Sequence, residues 1–291
     1  MTKLTRRHML TTAVAATAAA AATPLSGPSP AHATAPPAGK QAPGWYRYKV
    51  GSTEVTVVTD GARTFPLPEN FVTNAKQDEV NAALAAAYME GGKVTIVFNP
   101  IVVNTGSKLI VIDTGFGAAG YAQSKGAAGQ FHANLAAAGI DAKDVDTVII
   151  SHFHQDHTDG LLTADNKSAF PNAEVMVPAP EWAFWMDDGE MSRAPKGRME
   201  GLFKNNRRLF DALGRKVTPY EWNKEIAPGI TSVATPGHTV GHTSYVVSSG
   251  SSKVFVQSDV TNHPALFARN PGWRAFFDQD GAKAEETRRN C

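Results

Sequence analysis

The sequence holds a single cysteine, Cys291 at the last of its 291 positions. That excludes an internal disulfide framework and any cysteine-rich zinc module. Charge imbalance is nearly absent as well. The formal net charge is +1 at pH 7, too little for a general binder of nucleic acid or anionic membranes. No apolar run approaches the ~20 residues that a bilayer-spanning helix needs. With 42% hydrophobic and 19% charged residues, the chain is not disordered as a whole. Its length permits one large domain or two small ones.

The first 33 residues read as an export signal. Lys3, Arg6 and Arg7 precede a weakly apolar run, and Ala31-His32-Ala33 is a small-x-small cleavage site. The paired arginines resemble a twin-arginine signal, which carries folded cargo. The expected location is periplasmic or extracellular, with no stable membrane insertion. Removing 1–33 takes away Lys3, Arg6 and Arg7 and no acid, so +1 becomes −2. Residues 34–44 are rich in Pro, Ala and Gly and read as a flexible leader. A single folded domain is then expected over 45–291.

Within it, short β-type runs alternate with helical ones. Strands are expected at 54–59, 94–98, 101–104 and 108–112, with Asn104-Thr105-Gly106-Ser107 as a hairpin turn. The run 147–150 is continuously apolar, as a buried strand would be. Further strands are expected at 230–234, 244–248 and 254–257. Helices are expected at 78–89, 127–138, 179–186, 199–213 and from 280 onwards, the last with Asp280 as N-cap and Glu285/Arg289 as an i,i+4 pair. That last helix runs out with no stop signal, which reads as a chain cut short. No internal repeat or linker interrupts 45–291, so an α/β domain follows.

The densest chemistry is Ser151-His152-Phe153-His154-Gln155-Asp156-His157, directly after the apolar run 147–150. Three imidazoles and a carboxylate within six residues suit a divalent cation. His152 and His154, two apart, share one face of an extended segment and can hold one ion. Asp156 and His157 project from the turn into the next helix and can hold a second.

With these residues the chain resembles the metallo-β-lactamase superfamily, whose signature is His-x-His-x-Asp-His. Asp113-Thr114-Gly115, Thr235-Pro236-Gly237-His238-Thr239 and Ser258-Asp259 match further motifs in that family's order. The resemblance implies a four-layer αββα sandwich, short here of its C-terminal strand and helix. It implies His238 as a ligand of the first metal and Asp259 as a carboxylate bridging two divalent ions, with zinc preferred. Asp113 would hold a ligand loop, and His242 would support the site without binding metal. That family places a last His well beyond the bridging Asp. His263, four residues after Asp259, comes too early to match it, so a supporting or loop role is expected there in preference to a makeshift ligand. His132, on an expected helix, reads as a surface residue.

The resemblance is strongest to methyl parathion hydrolase-like and quorum-quenching lactonase-like members, through the stretches 42–47, 103–109, Phe184-Trp185 and 237–243. The implied activity is hydrolysis of a lactone, ester or phosphotriester by a metal-bound hydroxide, with Asp156 orienting the nucleophile or carrying a proton. Phe116, Trp182, Phe184 and Trp185 are candidates for an aromatic pocket favouring apolar substrates. The alternatives are a non-catalytic or inactive metal-binding fragment, or a β-lactamase or thioesterase of the same superfamily. The expected partner is a small-molecule substrate, not nucleic acid, and a homodimer fits the resemblance.

Overall fold

The computed structural model describes residue 39 and residues 42–291. The expected export signal and most of the leader lie outside them. Alternating β-branched residues set up the first strands. β1 (Trp45–Val50) and β2 (Thr53–Val58) form a hairpin, with Trp45 opposite Val58. Gly51 turns it at φ +60°, a conformation glycine adopts without strain. β3 (Gly61–Pro66) and β4 (Lys93–Phe98) pair with each other as a separate ribbon. β5 (Ile101–Asn104) and β6 (Leu109–Ile112) make a second hairpin that joins β2.

From β6 onward the pairing becomes parallel. β7 (Thr147–Ile149), β8 (Glu174–Pro178) and β9 (Thr218–Tyr220) follow it, completing a seven-stranded sheet in the order β1-β2-β5-β6-β7-β8-β9. A second, antiparallel sheet contains β10 (Glu225–Ala227), β11 (Ile230–Ala234), β12 (Thr243–Ser249) and β13 (Ser252–Val256) in sequence order.

The sheets pack on each other through Val55, Val103, Ile110, Ile112 and Ile149 on one side and Ile230, Tyr245 and Val247 on the other. The opposite face of the large sheet is covered by helices Phe131–Ala137, Ala179–Met186 and Arg198–Ala212, which contribute Phe131, Leu135, Trp185, Phe203, Leu209 and Phe210 to a second core. Because β6 and β7 are covered on both faces, they are almost entirely apolar, with Thr147 the one polar residue. A third cluster joins the β3–β4 ribbon to helices Gln77–Ala86 and Pro264–Phe267 through Phe71, Leu84, Val94 and Phe267. The mixed α/β sandwich expected from the sequence is the one observed. Among the described residues, no helix is long and apolar enough to cross a membrane.

One expectation changes. The helix expected at 127–138 begins only at Phe131. The buried Asp60 carboxylate accepts the N–H groups of Phe116, Gly129 and Phe131 at 2.9–3.0 Å, and so fixes both the turn and the helix start. The final helix, Gly281–Asn290, is packed against the rest of the domain. Asp280 caps it, Glu285 pairs with Arg289 at 3.0 Å, Thr287 donates to the Pro236 carbonyl and Arg288 to that of Val260.

Candidate metal centre

β7 aims the first ligand loop. Just past its end, the Ile150 carbonyl is held by the buried hydroxyls of Tyr220 and Tyr245, at 2.9 and 3.0 Å. The chain bends at Ser151 and again at His154, the N-cap of helix Gln155–Thr158, whose own backbone is extended (φ −80°, ψ 154°). His152 and His154 therefore precede the helix, while Asp156 and His157 lie in its only turn. This is the arrangement the spacing implied.

The donors converge. His154 Nδ1 lies 3.0 Å from His152 Nε2 and 3.0 Å from His238 Nε2. Donors about 2.0 Å from a tetrahedral ion stand about 3.3 Å apart, so three imidazoles at this spacing fit a divalent cation. His157 Nε2 lies 3.4 Å from Asp156 Oδ2 and 3.6 Å from Asp259 Oδ1. The other Asp259 oxygen is 3.4 Å from His238 Nε2. One carboxylate thus spans both groups of imidazoles.

The outward-facing ring nitrogens are tied down, which fixes tautomers and ring directions. His157 Nδ1 lies 2.8 Å from Asp113, which also accepts from the Ser151 N–H and hydroxyl. His152 Nδ1 is 3.0 Å from the Ser151 hydroxyl. His238 Nδ1 is 2.9 Å from Asp278. His242 offers its Nδ1 to Thr235, and its Nε2 accepts the backbone N–H of Asp259. It holds the Asp259 backbone from beside the donor cluster. Asp113 itself takes φ +61°, an uncommon conformation that turns its carboxylate back onto the loop.

Burial keeps His152 and His154 well below the ordinary imidazole range, with neighbouring imidazoles adding to the effect. Their lone pairs are therefore free for a cation. Burial also works against a His157 cation, but Asp156, Asp113 and Asp259 outweigh it and hold that imidazole well above its usual value.

A cavity of about 470 Å³ opens beside the cluster, lined by His154, Asp156, His238 and Asp259 and walled by Phe65, Phe98, Phe116, Phe276 and Phe277. Phe116, a pocket candidate from the sequence, lines this cavity. Phe184 lines an adjoining cavity of about 570 Å³. Trp185 and Trp182 correct the expectation. Trp185 is fully buried, its indole N–H donating to Glu181, and Trp182 packs edge-on against Phe210 in the core. Both pack against helix Arg198–Ala212, Trp182 on Phe210 and Trp185 on Phe203, and neither lines either cavity. His263 is buried with neither ring nitrogen bonded, and it joins neither donor group. His132 is half-buried, 2.8 Å from the Gly160 carbonyl, so it is not a surface residue.

Two positioning acids escaped the sequence reading. One is Asp278. The other is Glu181, wholly buried, which accepts the Phe153 N–H at 3.0 Å and the Gly241 N–H at 2.7 Å. It thereby fastens the loop carrying His152 and His154 to the loop carrying His238. A lone acid in an aromatic helix gives no local sign of this.

The family model of the metallo-beta-lactamase superfamily matches residues 99–288. The chain belongs to this superfamily. Among solved structures it is similar to AidC, a dizinc quorum-quenching lactonase in complex with its product, at 25% identity, TM-score 0.78, and 85% coverage of each chain. It is also similar to the hydrolase AbOPH of the beta lactamase superfamily, at 29% identity and TM-score 0.76, covering 86% of this chain and 85% of that one. A probable metal-dependent hydrolase from Staphylococcus aureus shares the fold at 22% identity and TM-score 0.63, covering 83% of this chain and 84% of that one.

Proposed function

We propose that this chain is an exported, binuclear zinc hydrolase of lactones, esters or phosphotriesters. The observation that carries the reading is the Asp259 carboxylate, with one oxygen facing His157 and the other facing His238. His152, His154 and His238 would hold one ion, and Asp156 and His157 the other, with Asp259 between them. When bound, such a pair supplies Lewis acidity and acidifies bound water. Asp156, at the cavity edge, takes up a proton from the attacking water and returns it to the leaving oxygen. The phenylalanine wall excludes bulk water and holds the apolar part of the substrate. Likeness to a lactonase favours cyclic or open-chain esters within this range. The reading of 1–33 as a twin-arginine signal supports delivery outside the cytoplasm, and a homodimer fits the same reading.

The second reading, non-catalytic metal binding, is favoured by one observation. Among the described residues, His263 does not join the second donor group. The deciding test is turnover of p-nitrophenyl esters, acyl-homoserine lactones and a phosphotriester by zinc-loaded protein. Turnover that disappears in His154→Ala supports the hydrolase. No turnover of any of them at full metal loading supports the second reading.

A further inference from the structure

Two guanidinium groups face the cavity beside the metal centre, Arg63 from β3 and Arg198 from the start of helix Arg198–Ala212. Neither pairs with a carboxylate among the described residues. Arg63 lies over the Phe116 ring at 3.9 Å, and its one side-chain hydrogen bond is a 3.5 Å contact to Gln123. Its packing on that ring accounts for its place without any ligand.

Arg198 has no such account. No aromatic face lies beneath it. Gly197, at φ +97°, turns the chain just before it. Its Nη2 stands 3.3 Å from His154 Nε2, and its Nη1 makes a 3.5 Å contact with the Phe277 carbonyl. His154 Nδ1 faces the donor cluster, so Arg198 sits one imidazole's width outside it. The guanidinium also borders the adjoining cavity shared with Phe276 and Phe277. Most of its five donors are unspent.

The charge balance sharpens the point. The acids lining this cavity are Asp156 and Asp259, and both belong to the metal donor set. Asp278 and Asp280 border the adjoining cavity, but Asp278 is already engaged by His238 and Arg288 and Asp280 caps the last helix. Divalent ions in the donor set would consume the charge of Asp156 and Asp259 and leave Arg198 without a carboxylate partner of its own. Guanidinium is the side chain best suited to a planar carboxylate, which it can meet with two parallel hydrogen bonds.

We propose that Arg198 is an anion subsite, and that the substrate is an ester or lactone bearing a carboxylate beyond the scissile group. This rests on the hydrolase reading for the chemistry, but not for the binding. It amends the expectation of a purely apolar substrate: the phenylalanines hold the body and Arg198 selects the charged end.

Two measurements separate the claims. Calorimetric titration of zinc-loaded protein with 4-phenylbutyrate and with the neutral 4-phenylbutanamide reads binding alone. The carboxylate is expected to lose about tenfold in affinity in Arg198→Met, with part of the loss restored in Arg198→Lys, while the amide is little affected. Carboxylate affinity within about twofold of wild type in Arg198→Met, or an equal loss for the amide, overturns the proposal. The second measurement compares mono-p-nitrophenyl glutarate with p-nitrophenyl valerate, which have the same chain length and differ by the terminal carboxylate. Arg198→Met is expected to raise KM for the glutarate more than for the valerate. Absence of turnover with the carboxylate-specific binding loss intact sinks the hydrolase reading and leaves the anion subsite standing. Turnover with an unchanged glutarate preference sinks the subsite alone.

Discussion

The Asp278 carboxylate lies 2.9 Å from His238 Nδ1, and both side chains are almost sealed from solvent. It fixes the tautomer that turns His238 Nε2 toward the donor cluster. The same carboxylate lies 3.7 Å from buried Arg288 of the last helix, so that helix is coupled to the metal centre through one acid.

Replacing Asp278 therefore tests metal retention more than chemistry. Asp278→Ala is expected to weaken zinc binding by about 10–100-fold, and Asp278→Asn by less, because an amide oxygen still accepts from Nδ1. Competition with a chromophoric chelator measures it. Unchanged affinity in Asp278→Ala would show that the contact does not orient His238.

Glu181 predicts a different signature. Glu181→Leu leaves the N–H groups of Phe153 and Gly241 and the Trp185 indole without their acceptor. Each buried unsatisfied donor costs about 1–3 kcal/mol, so the urea midpoint should fall sharply even in metal-free protein. Glu181→Gln keeps one acceptor oxygen and should lie between. Gly241→Ala should mimic the loss, since a Cβ there would collide with the Glu181 backbone. A midpoint unchanged in Glu181→Leu would refute the tethering role.

These two acids mark where the sequence stopped being legible. His152, His154, Asp156 and His157 could be read because they lie together after an apolar strand, so a local pattern carries the geometry. Asp278 acts on a residue 40 positions away and Glu181 on one 28 away, and only the folded chain brings them near. Strand β3 was missed because its sequence, GARTFP, lacks alternation and contains proline. The late start of helix Phe131–Ala137 depends on Asp60, about seventy residues upstream, which local propensity cannot register. Trp185 was misplaced for a related reason. On a short aromatic helix both faces are apolar, and the sequence does not say which one packs on the neighbouring helix.

The aromatic residues divide accordingly. Phe116→Ala should raise KM with little change in thermal midpoint, because the ring lines the cavity. Trp185→Ala should cost about 3–5 kcal/mol of stability, the usual range for emptying a buried aromatic site. Steady-state kinetics and urea titration on both variants check this. Reversed outcomes would put the pocket on the other side of the helix.

Alkaline pH offers a test away from the metals. Burial pushes Tyr220 and Tyr245 above the ordinary value of about 10. Below pH ~10 both are neutral whether the chain is folded or not. Above it the unfolded chain releases protons that the folded one retains, so stability falls as pH rises. The urea midpoint of wild type should drop more steeply between pH 10 and 11 than that of the Tyr220→Phe/Tyr245→Phe variant. Parallel slopes would contradict the assignment.

The central claim is that one carboxylate joins two metal sites. Elemental metal content per chain, in wild type and in Asp259→Ala, tests it most directly. The account predicts two divalent ions per chain in wild type and a fall to one or none in the variant. A wild-type chain that binds no more than one ion, or an Asp259→Ala chain that retains two, would contradict it.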